Sequence, residues 1–358
     1  MQAALGLARR GLGEVWPNPS VGCVVVADGH VVGRGRTAAG GRPHAETEAL
    51  HQAGVRSSGA TVYVTLEPCS HHGHTPPCAE ALIGAGIARA VVALEDPDPR
   101  VCGRGIAALT RAGIIVDLGC CAEQARAVNA GFITRVERGR PMLTLKVASS
   151  LDGRIATHKG ESRWITGAAA RDYGHLLRAD HDAIMIGSGT ALADDPSLDC
   201  RLPGLEGRSP LRIVVDGHLV LPLTGKLVAS AKQRPLWVLT RSGNAPERLA
   251  ALADCGVEVI EVPPAADGRI DLAAAMRELG NRGLTRLLVE AGGHLAAALV
   301  RANLVDRLAW FRAPLLLGGD GLASVLSIGI DRMEEAPRWR RLSVTCLGPD
   351  ILEILERE

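Results

Sequence analysis

Apolar positions along the chain switch between a helical period and runs of β-branched residues, and this switching predicts the elements. Leu5 and Ala8 fall at helical spacing within residues 2–11, predicting a short helix. Pro17-Asn18-Pro19 then imposes an extended, turn-rich segment, because proline restricts itself and the residue before it. Residues 21–27 form a β-branched apolar run, and Asp28-Gly29 separates it from Val31-Val32. Such a pair predicts a tight hairpin. Residues 44–53 read as a helix and 61–66 as a strand, and another helix opens at Cys78 and runs to Gly84 or Gly86. Buried strands are predicted at 91–94 and 114–117 around a helix at 105–112, and a helix at 122–132 closes this half.

Arg138-Gly139-Arg140-Pro141 has the Gly, Pro and charge content of a linker, which sets two domains, 1–140 and 141–358. The second half repeats the alternation. Strands are predicted at 142–148, 182–186, 211–216, 236–240, 257–262 and 286–290, with helices at 168–177, 272–279 and 294–301. Gly187-Ser188-Gly189-Thr190 reads as a loop that lets a ligand approach the backbone. Leu288-Val289-Glu290-Ala291-Gly292-Gly293-His294 reads as strand, glycine pair and helix start, a junction whose free N–H groups can cradle a phosphate. No G-x-G-x-x-G fingerprint occurs. Alternating strands and helices make both halves α/β, each a sheet covered by helices.

Composition narrows the function classes. Forty basic residues oppose thirty-nine acidic ones and aromatics are only 3%, so neither the charge nor the stacking platforms of a nucleic-acid binder are present. A base deaminase acting on nucleic acid is thereby disfavoured; salt-dependent binding of tRNA or single-stranded DNA would revive it. Every apolar run is broken by Gly, Arg, Asp or Pro well short of a membrane span. Residues 1–14 lack the apolar core of a signal peptide. Nine cysteines in no regular framework suit metal ligation and reduced core thiols better than a disulfide scaffold. A cytoplasmic setting is expected.

One stretch carries chemistry. Pro43-His44-Ala45-Glu46 is followed by Glu67-Pro68-Cys69 and Pro77-Cys78. One imidazole and two thiols are a zinc ligand set with a fourth position left for water, and Glu46 sits two residues from the imidazole as a proton carrier. That is the combination hydrolytic deamination of a base needs. The spacing between the cysteines is longer than the usual two residues, and His71, His72 and His74 within it are rival ligands. A closed structural zinc site, in a module that binds without turnover, is the sober alternative.

Pro17 to Cys23, Pro43 to Glu46, and Thr65 to His71 with Thr75-Pro76-Pro77-Cys78 resemble the bifunctional riboflavin-biosynthesis deaminase/reductase family, which carries this long insertion. The resemblance implies a cytidine-deaminase-like N-terminal domain, a mixed sheet with helices on both faces. It implies zinc (Zn2+) on His44, Cys69 and Cys78, catalysis by Glu46, and Asn18 in the base pocket. The substrate it implies is a phosphoribosylaminopyrimidine, and the partners it implies include no nucleic acid, no membrane, and a second copy of the chain in a homo-oligomer, with a dimer favoured. Thr37, His74 and Asp98 stand where the family usually has His, Lys or Arg, and Asn. His74 in protonated form is expected to meet the substrate phosphate.

The resemblance continues through Lys146 to Arg154, Gly160 to Thr166, Gly189-Thr190, Ala193 to Pro196 and Val289 to Gly293. It implies a C-terminal α/β domain like dihydrofolate reductase, which accounts for the missing dinucleotide fingerprint. NADPH would touch Ala148, Trp164, Thr190, Asp194 and the turn Gly292, Gly293, His294 and Leu295. Substrate would touch Ser162, Arg178, Leu198, Arg201 and Glu290, with Lys146 as an electrostatic helper. Asp199-Cys200 stands where the family has Thr and often an apolar residue, and Gly217 where it often has Ser; neither departure removes a charged contact.

Overall fold

Asp28 and Gly29 both take positive φ, 49° and 75°, and turn strand β1 (Gly22–Ala27) back into β2 (His30–Arg36) as the sequence predicts. The computed structural model describes residues 1–71 and 76–358, so His74 and its expected phosphate contact lie outside the described residues. The chain divides into two units, Met1–Arg140 and Pro141–Glu358.

The first unit is built on a mixed five-stranded sheet in the order β2-β1-β3-β4-β5, with β3 at Thr61–Val64, β4 at Arg89–Val92 and β5 at Ile115–Leu118. β1 runs antiparallel to β2 and β3, while β3, β4 and β5 are parallel. Helices α1 (Gln2–Arg9), α2 (Ala45–Ala53), α3 (Cys78–Gly84) and α4 (Arg104–Arg111) accompany it. Small side chains set how closely α2 can lie. A Cβ on Gly35 of β2 would come within 2.0 Å of the Ala45 carbonyl oxygen, so only glycine lets the first turn of α2 rest on the strand. The core between them is aliphatic, with Val25, Val62, Val64, Ala45 and Ala49 fully buried.

Two readings of this half are corrected. The strand expected to be buried at 114–117 is the edge strand β5, with Ile115 64% and Leu118 52% exposed. A short apolar run does not say whether a strand is central or lateral. The single helix expected at 122–132 is two, α5 (Ala122–Val128) and α6 (Ala130–Arg138). They break at Asn129, whose side-chain oxygen accepts the Ser20 N–H at 2.9 Å, tying the break to the segment after Asn18.

The second unit holds a nine-stranded sheet. Its parallel part comprises β6 (Met142–Ser149), β8 (Ala183–Gly187), β9 (Leu211–Val215), β10 (Leu236–Arg241), β11 (Glu258–Val262), β12 (Arg286–Val289) and β13 (Arg307–Arg312). The order is β11-β10-β9-β8-β12-β6-β13-β16-β15, closed by the antiparallel β15 (Trp339–Leu347) and β16 (Asp350–Arg357). A two-stranded ribbon pairs β7 (Arg154–Ala156) with β14 (Leu322–Ala323). The helices are α7 (Ala168–Ala179), α8 (Ser188–Asp194), α9 (Lys226–Ala229), α10 (Pro246–Asp254), α11 (Leu272–Asn281) and α12 (Gly293–Arg301). Sequence periodicity anticipates the parallel strands from β6 to β12 and three of these helices. It misses β13, β15, β16 and α10, and it reads the start of α8 as a loop because Gly187 and Gly189 flank Ser188. No described helix is long and apolar enough to cross a membrane.

Candidate active sites

In the first unit, the metal-type residues sit where elements begin or end. His44 is the residue before α2 and Glu46 lies in its first turn; Cys69 follows the end of β3, and Cys78 opens α3. Cys69 is brought in by a close approach: a Cβ on Gly105 would lie 2.0 Å from the Pro68 carbonyl oxygen. Glu67 fixes the same corner. Its buried carboxylate accepts N–H groups from Asp96 (3.2 Å), Gly103 (2.9 Å), Gly105 (2.8 Å) and Ile106 (3.1 Å), which satisfies a charge that would otherwise be costly to bury.

The outcome is a tight donor triangle. His44 Nδ1 lies 3.3 Å from Cys78 Sγ and 3.6 Å from Cys69 Sγ, and the three atoms lie within 4.8 Å of one another. Tetrahedral zinc with bonds of about 2.3 Å to sulfur and 2.0 Å to nitrogen would hold S and N roughly 3.5 Å apart, so the residues fit the ion. The hydrogen bond from Cys78 and the His44 imidazole hold the Cys69 thiol down at about 4, against its burial. Cys78 is pushed up by sharing its proton with Cys69 and by burial. Glu46 is buried, and desolvation followed by the Cys69 charge raises its carboxyl to about 7. A carboxyl in that range can both take and return a proton near neutrality.

These groups open into a cavity of about 370 Å³ that Asn18 and Thr37 also line. Asn18 packs so closely on Gly41 that a Cβ there would lie 1.9 Å from its amide nitrogen. Thr37 is buried; its hydroxyl donates to the Pro19 carbonyl (3.1 Å) and accepts the Val21 N–H (2.9 Å). It holds the Asn18 segment in place. Asp96, Asp98, Arg100 and Arg135 line the same cavity. Desolvation, with the neighbouring Asp98 and Glu67 charges, raises Asp96 to about 6.

The second unit has its own cavity, of about 520 Å³, at the C-terminal ends of β6, β8 and β12, where open parallel sheets bind ligands. Ala148, Thr190 and Asp194 line it, as do Gly292, Gly293, His294 and Leu295 at the start of α12. A Cβ on Gly293 would meet the Ala323 carbonyl oxygen at 2.6 Å, so glycine lets the β14 ribbon close over the helix start. Glu290 lies on the floor, buried, gripped by Arg178 through Nε to Oε1 (2.7 Å) and Nη2 to Oε2 (3.0 Å), with Lys146 Nζ at 3.6 Å. Burial pushes its carboxyl up, but Arg178 and Lys146 outweigh that and hold it at about 2. A fixed anion with two cations faces an apolar wall of Ile155, Ala156, Leu322 and Leu326. Small residues at a helix start beside that wall suit the phosphate and ring of a dinucleotide such as NADPH.

Comparison with known proteins now bears on both units. Residues 141–352 match the RibD C-terminal domain family, and residues 1–94 match the cytidine and deoxycytidylate deaminase zinc-binding region. The riboflavin biosynthesis protein RibD of Escherichia coli is 41% identical, with 98% of this chain and 96% of that protein aligned. That of Aquifex aeolicus is 40% identical over 100% and 97%. This chain belongs to the RibD family.

Solved RibD structures share both the fold and the length. The chain is similar to Acinetobacter baumannii RibD with a TM-score of 0.89 at 39% identity, covering 100% of this chain and 97% of that one. A Thermotoga maritima structure titled as a diaminohydroxyphosphoribosylaminopyrimidine deaminase/5-amino-6-(5-phosphoribosylamino)uracil reductase gives 0.86 at 33%, with the same coverage. The first unit thus has the cytidine-deaminase-like fold and the second the RibD reductase fold.

Within this RibD-family chain, the expected residues group unevenly. His44, Glu46, Cys69 and Asn18 share the first cavity, and Cys78 completes the donor triangle. Ala148, Ser162, Thr190, Asp194, Glu290 and the turn from Gly292 to Leu295 share the second. Trp164, Arg178, Leu198 and Arg201 do not line it. Arg178 reaches it through Glu290, Leu198 is buried, and Trp164 is 67% exposed under the Arg171 guanidinium, 4.6 Å away. Arg201 is paired with Asp199 at 2.8 Å, and Arg234 approaches the same carboxylate at 3.8 Å. The departure at Asp199 thus adds a charged contact and removes none that the sequence identified. Sequence reasoning left Glu67 and Asp96 without a role, although a carboxylate between strand and Pro-Cys, facing a Gly103-Arg104-Gly105 helix start, is a legible signal.

Proposed function

We propose that His44, Cys69 and Cys78 hold the zinc of a deaminase site and that Glu46 moves its protons. The substrate we assign is 2,5-diamino-6-(5-phosphoribosylamino)pyrimidin-4-one. As a RibD-family enzyme the chain carries deaminase and reductase activities of riboflavin biosynthesis. The observation that carries the residue assignment is the buried Glu46 carboxyl beside a three-atom donor set in one cavity. When bound, zinc polarises a water molecule and lowers its pKa. Glu46 accepts the proton released as water oxygen bonds to the amidine carbon, and it returns a proton to the departing nitrogen, so water enters and ammonia leaves. Asn18 is suited to hold the polar edge of the base, and Thr37 acts by holding the Asn18 segment.

We assign the 520 Å³ cavity to NADPH and the ribosyl end of the deaminated product. When bound, NADPH supplies a hydride. The chain's task is orientation and charge: the α12 start meets phosphate oxygens, the apolar wall covers the ring, and Glu290, kept ionised by Arg178 and Lys146, stays fixed as a hydrogen-bond acceptor for sugar hydroxyls. The product is 5-amino-6-(5-phosphoribitylamino)uracil. We further place the enzyme in the cytoplasm and its second copy, in a dimer, against the edge strand β15, which leaves Leu342 and Val344 exposed. Light scattering on a Leu342→Glu/Val344→Glu variant tests that surface; an unchanged molar mass rejects it.

The decisive experiment supplies the diaminopyrimidinone ribosyl phosphate with and without NADPH. Ammonia is expected in both cases, with NADPH oxidation lagging behind it. Oxidation that precedes ammonia, or ammonia release by Glu46→Gln at the parental rate, rejects the assignment.

A further inference from the structure

We propose that Glu67 is a positioning residue of the deaminase site, locking the zinc ligand Cys69 to the segment 96–101 so that metal and cavity wall set each other's place. The inference rests on the zinc reading above and adds a residue that is neither a ligand nor the proton carrier. Glu67 is 3% exposed, and its main-chain N–H donates to the Leu94 carbonyl at 2.8 Å, which carries strand pairing past the ends of β3 and β4. Its Oε2 accepts the Asp96 and Gly103 N–H groups, and its Oε1 those of Gly105 and Ile106. Two carboxylate oxygens offer about four acceptor positions, and main-chain donors fill them all.

These donors bracket a segment that faces the cavity, since Asp96, Asp98, Arg100 and Val101 line it. Gly103, at φ 72°, precedes α4 and has no side chain to cap it, so Glu67 supplies from a distance the acceptor that a capping side chain would. A cap alone would need only the Gly105 and Ile106 N–H groups; the bonds to Asp96 and Gly103 hold the segment itself. On the other side, Pro68 joins Glu67 to Cys69 with a fixed φ, and its carbonyl oxygen is the atom that a Cβ on Gly105 would meet at 2.0 Å. Cys69 is held in turn by α3: its sulfur accepts the Cys78 N–H at 3.3 Å and its carbonyl the Ala79 N–H at 3.2 Å. A shift of Cys69 toward or away from a metal therefore passes to Glu67, and through it to both ends of the segment 96–106. Holding the ion organises the wall, and by linkage an organised wall tightens the hold on the ion.

The test strips zinc from the wild-type enzyme with a chelator and follows hydrogen exchange of main-chain amides. The Asp96, Gly103, Gly105 and Ile106 amides should lose protection together, while those of β1 and β2 keep theirs. Unchanged protection at Asp96 and Gly103, or equal loss across β1 and β2, overturns the proposal. Glu67→Gln keeps the volume but turns one oxygen into an NH2 donor that faces two N–H donors. Its zinc affinity, measured by competition with a chelator, should fall about 10- to 100-fold. A role confined to capping α4 would lower the melting temperature equally with and without zinc and leave the affinity where it was; that result rejects the link. Should the variant fail to fold, the exchange measurement on the wild-type enzyme decides alone. A wild-type enzyme that takes up no zinc rejects the metal reading itself, and this inference with it.

Discussion

Glu46 and Glu290 are both buried carboxylates, and their surroundings push them in opposite directions. Glu46 has burial and a neighbouring thiolate, which raise it to about 7, while Glu290 has two cations, which outweigh burial and hold it at about 2. The first suits proton transfer and the second suits fixed charge. Replacing Glu46 with Gln should therefore lower ammonia release by about 10²- to 10⁴-fold, with zinc content retained. NADPH oxidation on substrate supplied already deaminated should be unaffected. A Lys146→Met variant should reduce that substrate more slowly, because Glu290 loses the cation at 3.6 Å; a parental rate removes Lys146 from the reductase site.

At the scale of elements, the first site depends on how closely α2 approaches β2. Gly35→Ala would drive a methyl into the Ala45 carbonyl oxygen. It should destabilise the first unit by about 1–3 kcal/mol and lower zinc occupancy, read by thermal melts and metal analysis. The hairpin, α2 and the parallel strands from β6 to β12 were legible in the sequence because local turn chemistry and apolar pattern agree there. The C-terminal ribbon was not, since charges interrupt its apolar pattern. In the fold those charges are cross-strand partners: Arg340 pairs with Glu356 at 2.8 Å and Arg341 with Glu353 at 2.8 Å, contacts that only the register of β15 on β16 creates. The donor triangle was legible from the His-Ala-Glu and Pro-Cys motifs together with the family resemblance, since the long Cys69–Cys78 spacing by itself left three rival histidines. The lining residues Arg100 and Arg135 were not, because they come from a loop and a helix that Asn129 breaks from its predecessor.

For the whole molecule, two cavities in two units predict separable loss of function. A zinc chelator should abolish ammonia release and leave reduction of deaminated substrate intact; loss of both activities would mean that the second unit also depends on the metal. Acid should act on the second unit through His181, which is buried and accepts or donates to Thr144 at 3.0 Å. Burial, aided by the Arg286 charge, lowers its pKa from 6.5 to about 3. A histidine depressed in the fold contributes stability above its unfolded pKa near 6.5, and this is lost as pH falls toward 3, by up to about 1.4 kcal/mol per unit. His181→Asn should flatten that part of the pH–stability curve, and an unchanged slope would assign the acid sensitivity elsewhere. The sheet order has a kinetic consequence as well. β12 sits between β8 and β6, so the centre of the larger sheet joins segments that begin at residues 142, 183 and 286, whereas β1 and β2 are separated by two residues. Distant pairings must close long loops before they are rewarded. Amides of the β1–β2 hairpin should accordingly gain protection from hydrogen exchange earlier in refolding than those of β6 and β12, and the cofactor cavity should be among the last features of the enzyme to exist.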